Sequence, residues 1–215
     1  DWSSVKRDTA RAFLVALSRG GAEPATTRRK LAALRSFYKH LLKRKVIADN
    51  PFAGLRGPKM RRDLPDVLSE NDVLRLLEAN TPPEHDDLAE SRELPKRYAA
   101  LRDSAVLEFL YSTGARVGEA AALTLRDIDL ASGTAKVLGK GRKERICHLG
   151  APAVKAITRM LEMAERVWGG GHARAPGSPL FMNQTGTPLT TRSMERIMKK
   201  CLAKAGIPGA YSPHA

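Results

Sequence analysis

Three short stretches hold side chains whose types and spacing could do chemistry on an anion. The first is Thr113-Gly114-Ala115-Arg116-Val117-Gly118-Glu119, where a chain break leads into an Ala/Leu-rich helix over residues 117–125. A guanidinium at that junction, where the helix is about to be buried, needs an anionic partner, because an unpaired buried charge is costly. Within the chain Glu119, Asp127 and Asp129 are candidates; an anion from outside is the other possibility. The second stretch is Gly139-Lys140-Gly141-Arg142-Lys143-Glu144-Arg145. Glycines flank Lys140, so this is either a solubilising turn or a mobile loop that can deliver an ammonium into a groove. The third is Ser212-Pro213-His214, which taken alone is a single unremarked histidine.

The elements that must position these groups can be read from periodicity. Apolar residues at helical spacing predict a helix over residues 5–17, stopped by Gly20-Gly21. A second helix begins near Pro24, with Thr26 or Thr27 as caps, and runs to about Lys45. The stretch ADNPFAGLRGPKMRRDLPDVLS holds three prolines and reads as an interdomain linker with a basic middle. Ser69 with Asp72 resembles a capping box opening a third helix. Residues 80–97 are polar and contain proline, as in an exposed insertion, and helices follow at about 98–112 and 116–125. TAKVLG and ERICHL flank Lys-Gly-Arg-Lys as the strands of a hairpin. Helices near 152–167 and 190–205, separated by a loop containing Gly169, Gly170 and Gly171, complete the chain.

Charge indicates the ligand. The chain of 215 residues carries a net +14, and up to Val67 it has 16 Lys+Arg against 6 Asp+Glu. A front third that holds most of the positive charge points to a polyanion, nucleic acid above all. In the second helix Leu31, Leu34, Tyr38, Leu41 and Leu42 share one face, with Arg28, Arg35, Lys39 and Lys43 in an arc of roughly 80° beside it. Residues 26–47 contain no Asp or Glu at all, whereas a merely solvated face mixes both signs. Such a stripe can neutralise successive phosphates. The chain is 42% hydrophobic and 28% charged, which fits a globular protein and not a disordered one. No apolar run approaches the roughly 18–20 residues of a membrane span, and no basic amphipathic segment is expected to carry exposed Trp or Phe to insert at a membrane surface. With two cysteines and no signal-like start, a reducing cytoplasm is the expected location.

In this order the phrases ATTRRKLAALRSFYKHLLKRKVIADNPFAGLRGPK, LYSTGARVGEAAALTLRDIDL, VLGKGRKERICHLG, and SPLFMNQTG followed by AYSPHA resemble the tyrosine recombinase (phage integrase) family, in particular its Xer-type site-specific recombinases. The resemblance implies a mainly α fold with a small β-sheet or hairpin: a helical SAM-like core-binding domain over 1–55, a basic linker over 56–68, and a mixed α/β catalytic domain over 69–215. It implies breakage and rejoining of DNA through a 3′-phosphotyrosine intermediate, with no cofactor and no metal, because the covalent link keeps the bond energy. Arg116 matches the family's first phosphate-binding arginine, Lys140 the hairpin lysine that protonates the leaving 5′-oxygen (Lys143 being a second candidate), Glu119 a carboxylate that orients the active-site histidine, and His214 the first residue of a His-x-x-Arg box. Candidate DNA contacts are Arg28, Arg29, Arg35, Lys39, Lys43, Lys59, Arg61, Arg62 and Arg142. The implied partners are double-stranded DNA with a core site, a like or paired recombinase forming a tetramer on two sites, and a DNA translocase. A phage or transposon integrase, or a DNA-binding module without chemistry, are the alternatives. The family pattern continues past His214 to a second arginine and the nucleophilic tyrosine. Tyr38 and Tyr111 look like core, and neither Tyr98 nor Tyr211 stands in the nucleophile's context. The sequence therefore reads as a recombinase trimmed at both ends, expected to bind DNA without cleaving it.

Overall fold

The structure is a computed structural model, and it describes residues 2–59, 67–83, 93–169, 175–208 and 211, with Lys140 described by its backbone alone. The chain divides into two compact units, Asp1–Leu64 and Pro65–Ala215.

The first unit is helical. Helix α1 (Arg7–Arg19) and helix α2 (Pro24–Lys43) pack around Ala10, Leu31 and Tyr38. Pro24 takes the first helical position, where its missing N–H costs nothing. Glu23 is the N-cap, so Thr26 and Thr27 do not cap the helix; Thr27 instead turns inward and is buried. Leu42 lies one turn past the small core and is exposed. The start of the proline-rich stretch is packed rather than loose. Phe52 and Leu55 are buried against α2, and Asn50 latches the chain there by donating to the Arg35 carbonyl and accepting from the Phe52 N–H. The Tyr38 hydroxyl donates to the Trp2 carbonyl, and its ring lies 5.1 Å from that of Phe52.

The second unit is mainly helical around one three-stranded antiparallel sheet. Helix α3 (Glu70–Asn80) opens with Ser69 accepting from the Asp72 N–H, the cap its sequence announces. Helix α4 (Leu94–Thr113) is buried on most of its circumference, with Tyr98, Leu101, Ala105, Val106 and Phe109 in the core. Most of the acidic stretch that precedes it lies outside the described residues. Tyr111 faces out and is 60% exposed, against its expected place in the core. Gly114, at φ 57°, ends α4 in the left-handed conformation that only glycine adopts without cost.

Helix α5 (Val117–Ala121) is shorter than its Ala/Leu-rich sequence predicts. Its continuation is diverted, because Leu125 and Arg126 donate to the carbonyls of Ser178 and Pro176, and Leu180 donates back to Leu123. A 3-10 turn (Leu125–Asp127), closed by Thr124 and Asp127, leads to β1 (Ile128–Asp129). Strands β2 (Thr134–Leu138) and β3 (Glu144–His148) form the hairpin, and β1 adds a third strand that the sequence reading lacked. Helix α6 (Ala151–Trp168) packs along α4, and helix α7 (Thr191–Lys204) against α3, α4 and α5. Two buried polar ties fix α7. Asp103 of α4 accepts from Arg102 and from Lys200, and Asn80 of α3 donates to the Cys201 carbonyl. Both cysteines, Cys147 and Cys201, are buried and free.

Candidate active site

Arg116 follows the left-handed turn at Gly114 and is the N-cap of α5, with extended backbone angles (φ −69°, ψ 149°). Its side chain is 63% exposed, so the premise of a buried guanidinium does not hold. The buried charge is its partner. Glu119, one turn into α5, has a side chain only 8% exposed. One oxygen, Oε1, accepts from Arg116 Nη1 at 2.8 Å. The other, Oε2, accepts from the Arg116 backbone N–H at 2.9 Å and from Arg145 Nη2 at 2.6 Å. Hydrogen bonding from Arg145, reinforced by Arg116, holds the Glu119 carboxyl down at about 2.

Arg145 comes from β3, where it lies opposite Val137. Along β3 exposure alternates, with Glu144, Ile146 and His148 outward and Cys147 buried. Arg145 shares the inward face with Cys147, and Glu119 is what makes a charge tolerable there. Sequence reasoning missed this residue. Its signal was the period of two, which puts a guanidinium in an apolar register.

Gly139 supplies the space. A Cβ at that position would meet Arg145 Nη1 at 3.2 Å and Glu119 Oε1 at 3.6 Å. The hairpin tip is a closed 3-10 turn (Lys140–Arg142), fastened by Gly139 N–H donating to the Lys143 carbonyl at 2.8 Å. Gly141 at φ 76° and Arg142 at φ 59° both take left-handed angles, so a non-glycine residue carries strain at the tip. Arg142 and Lys143 are exposed, and the Lys140 backbone stands at the start of the turn. One connected unit therefore joins Arg116, Glu119 and Arg145 to the hairpin that bears Lys140. His214, Arg61 and Arg62 lie outside the described residues.

On the first unit Arg28, Arg29, Lys39, Lys43 and Lys59 are exposed. Arg35 is half-buried, and its Nε donates to the Phe52 carbonyl at 3.2 Å, so part of its guanidinium holds the fold together. Among the described residues no group of three or more His, Cys, Asp or Glu could hold a metal ion, and no helix is long and apolar enough to cross a membrane.

A helical unit followed by an Arg–Glu–Arg cluster beside a lysine-tipped hairpin defines a class, and comparison with known proteins names it. The profile of the phage integrase family matches residues 67–215, and that of the phage integrase N-terminal SAM-like domain matches residues 1–45. The chain belongs to the phage integrase family. Among curated proteins it is 36% identical over 215 residues to tyrosine recombinase XerC of Syntrophus aciditrophicus, covering 99% of this chain and 65% of that protein. It is 41% identical over 186 residues to tyrosine recombinase XerC of Pelobacter propionicus, covering 86% of this chain and 55% of that protein. The chain thus spans less than two thirds of the length of these relatives. Among solved structures it matches a XerH site-specific recombinase bound to a palindromic difH substrate in a post-cleavage complex, with a TM-score of 0.73 at 20% identity, over 98% of this chain and 59% of that one. A lambda integrase dimer bound to a COC′ core site matches with a TM-score of 0.66 at 15% identity, over 99% of this chain and 68% of that one.

Proposed function

We propose that the protein is a site-specific DNA recombinase of the Xer type, which breaks and rejoins strands through a 3′-phosphotyrosine. The observation that carries this is the presentation of Arg116: exposed, fixed in direction by Glu119, and in a cluster that keeps a net positive charge. A tyrosine hydroxyl attacks the scissile phosphate and the 5′-oxygen leaves, so one phosphodiester is exchanged for another and no outside energy is needed. In the pentavalent transition state the extra negative charge sits on equatorial oxygens. A planar guanidinium meets two of these at once, which suits Arg116 to the task. Lys140, at the base of the hairpin turn, is assigned to protonate the leaving 5′-oxygen, with Lys143 as the second candidate. His214 is assigned to the same phosphate.

Residues 1–55 act as the core-binding domain, whose basic stripe on α2 contacts backbone phosphates; residues 56–68 link it to the catalytic domain over 69–215. The partners are double-stranded DNA carrying a core site and further recombinase subunits, two per site and four per synapse, with a DNA translocase as activator and the cytoplasm as the place of action. The XerC relatives favour this role over integration by a phage or a transposon.

The test is Arg116→Ala in the full-length protein on a nicked suicide duplex with a Xer-type core site. The covalent product, read on a denaturing gel, should fall by about 10²–10³-fold. Binding on a native gel should stay within about three-fold, because one phosphate contact among many is lost. Cleavage at the unmodified rate, or loss of the fold in this variant, would overturn the assignment.

A further inference from the structure

We infer that Arg145 is a positioning residue for the reaction, acting through Glu119 to keep Arg116 oriented without neutralising it. The inference rests on the functional reading above and adds a residue to it. Glu119 is the buried member of the trio, at 8% exposure, while Arg145 is 39% and Arg116 63% exposed. A buried carboxylate must be paired, and the more enclosed arginine meets it at the shorter distance, 2.6 Å against 2.8 Å. If Arg116 were the only partner, the two charges would cancel and an arriving phosphate would meet a neutral pair. With Arg145 present the cluster carries two positive charges and one negative. Arg116 is then held by its backbone N–H and one Nη while the site stays cationic. The same contact ties β3, and with it the hairpin that bears Lys140, to the helix that Arg116 begins. Twenty-six residues of chain separate the two partners, so only the fold brings them together.

Two further observations show that room was made for this pair. Arg145 occupies an inward register opposite Val137, where an apolar residue would otherwise serve the sheet. Position 139 has no side chain, and even one carbon there would crowd Arg145 Nη1 at 3.2 Å while resting against Glu119 Oε1.

The experiment measures single-turnover formation of the covalent product on the nicked duplex by the full-length protein, with the native-gel Kd measured in parallel. Arg145→Met should slow the covalent step by about ten-fold or more while the Kd stays within about three-fold, since misplacing a catalytic group by an ångström costs rate rather than binding. Arg145→Lys, which keeps the charge and one donor, should remain within about three-fold of the unmodified rate. The deciding variant is Arg145→Met combined with Glu119→Gln. Glu119→Gln alone removes the carboxylate through which Arg145 acts, so adding Arg145→Met to it should change the rate by less than about three-fold. A double variant slower than Glu119→Gln alone by the full factor that Arg145→Met costs the unmodified protein would mean that Arg145 does not act through Glu119, and the inference would fall. Arg145→Met at the unmodified rate would overturn it equally. Should Arg145→Met fail to fold, Arg145→Lys decides: a rate near the unmodified one supports the inference, and a loss as deep as that of Arg116→Ala overturns it. An unmodified protein that forms no covalent product overturns the functional reading first, and this one with it.

Discussion

At the scale of the residue, the site turns on one carboxylate. Sequence reasoning picked out Arg116 because a glycine turn delivers it to a helix start, and it asked what anion a buried guanidinium would need. The structure inverts the question. Arg116 stands at the N-terminal end of its helix and reaches solvent, while Glu119 three residues on faces the interior and carries the burial. Local spacing shows which residues can meet; it does not show which of them the fold encloses. The low carboxyl value of about 2 has a consequence for acid stability. A group whose folded value lies below its ordinary 4.5 stabilises in full above that ordinary value and loses the contribution as pH falls toward the folded one. The difference in Tm between the unmodified protein and Glu119→Gln should therefore be constant above about pH 5 and shrink between about pH 4.5 and 2. Calorimetric melts of the pair across that range would check it, and a difference that grows on acidification would contradict the pairing.

At the scale of the element, long periodic segments were legible and short diverted ones were not. The helix over residues 151–168 and the two hairpin strands follow the apolar pattern closely, because each buries one face against its neighbours. Helix α5 did not, although Ala and Leu favour its extension. The carbonyls that end it belong to residues 176 and 178, some fifty positions on, and no window along the sequence contains them. Strand β1, two residues long, is too short to show any period. The glycines of the hairpin were read as a source of mobility, whereas two of them have different physical reasons: Gly141 accommodates a positive φ and Gly139 clears space. Gly139→Ala tests the second reason. Its Cβ would stand 3.2 Å from Arg145 Nη1, so the guanidinium that pairs with Glu119 must give by a few tenths of an ångström. We expect a loss of about 1 kcal/mol, seen as a Tm lower by about 2–4 °C, together with slower strand cleavage.

At the scale of the whole molecule, the division of charge was visible from the start and the division into units agrees with where it falls. Up to Val67 the chain carries 16 Lys+Arg against 6 Asp+Glu, out of a net +14 for all 215 residues. If the α2 stripe contacts phosphates, Lys39→Gln with Lys43→Gln should reduce the slope of log K against log salt by about 2, equally for cognate and unrelated duplexes. An unchanged slope would move the contacts elsewhere. Arg35 is a poor probe of the same stripe, because its Nε holds the Phe52 carbonyl and its loss would disturb the fold as well. The two free thiols have a use of a different kind. Cys147 sits on the inward face of β3 and Cys201 on α7, both enclosed, with burial pushing the Cys201 thiol up to about 11. An alkylating reagent in solution attacks a thiolate, and it can reach either one only while the covering element has lifted away. The second unit therefore contains two native stopwatches, one timing how often the hairpin opens and the other how often the last described helix leaves its seat. Reading both with and without a duplex would show which part of the fold is steadied when a substrate arrives.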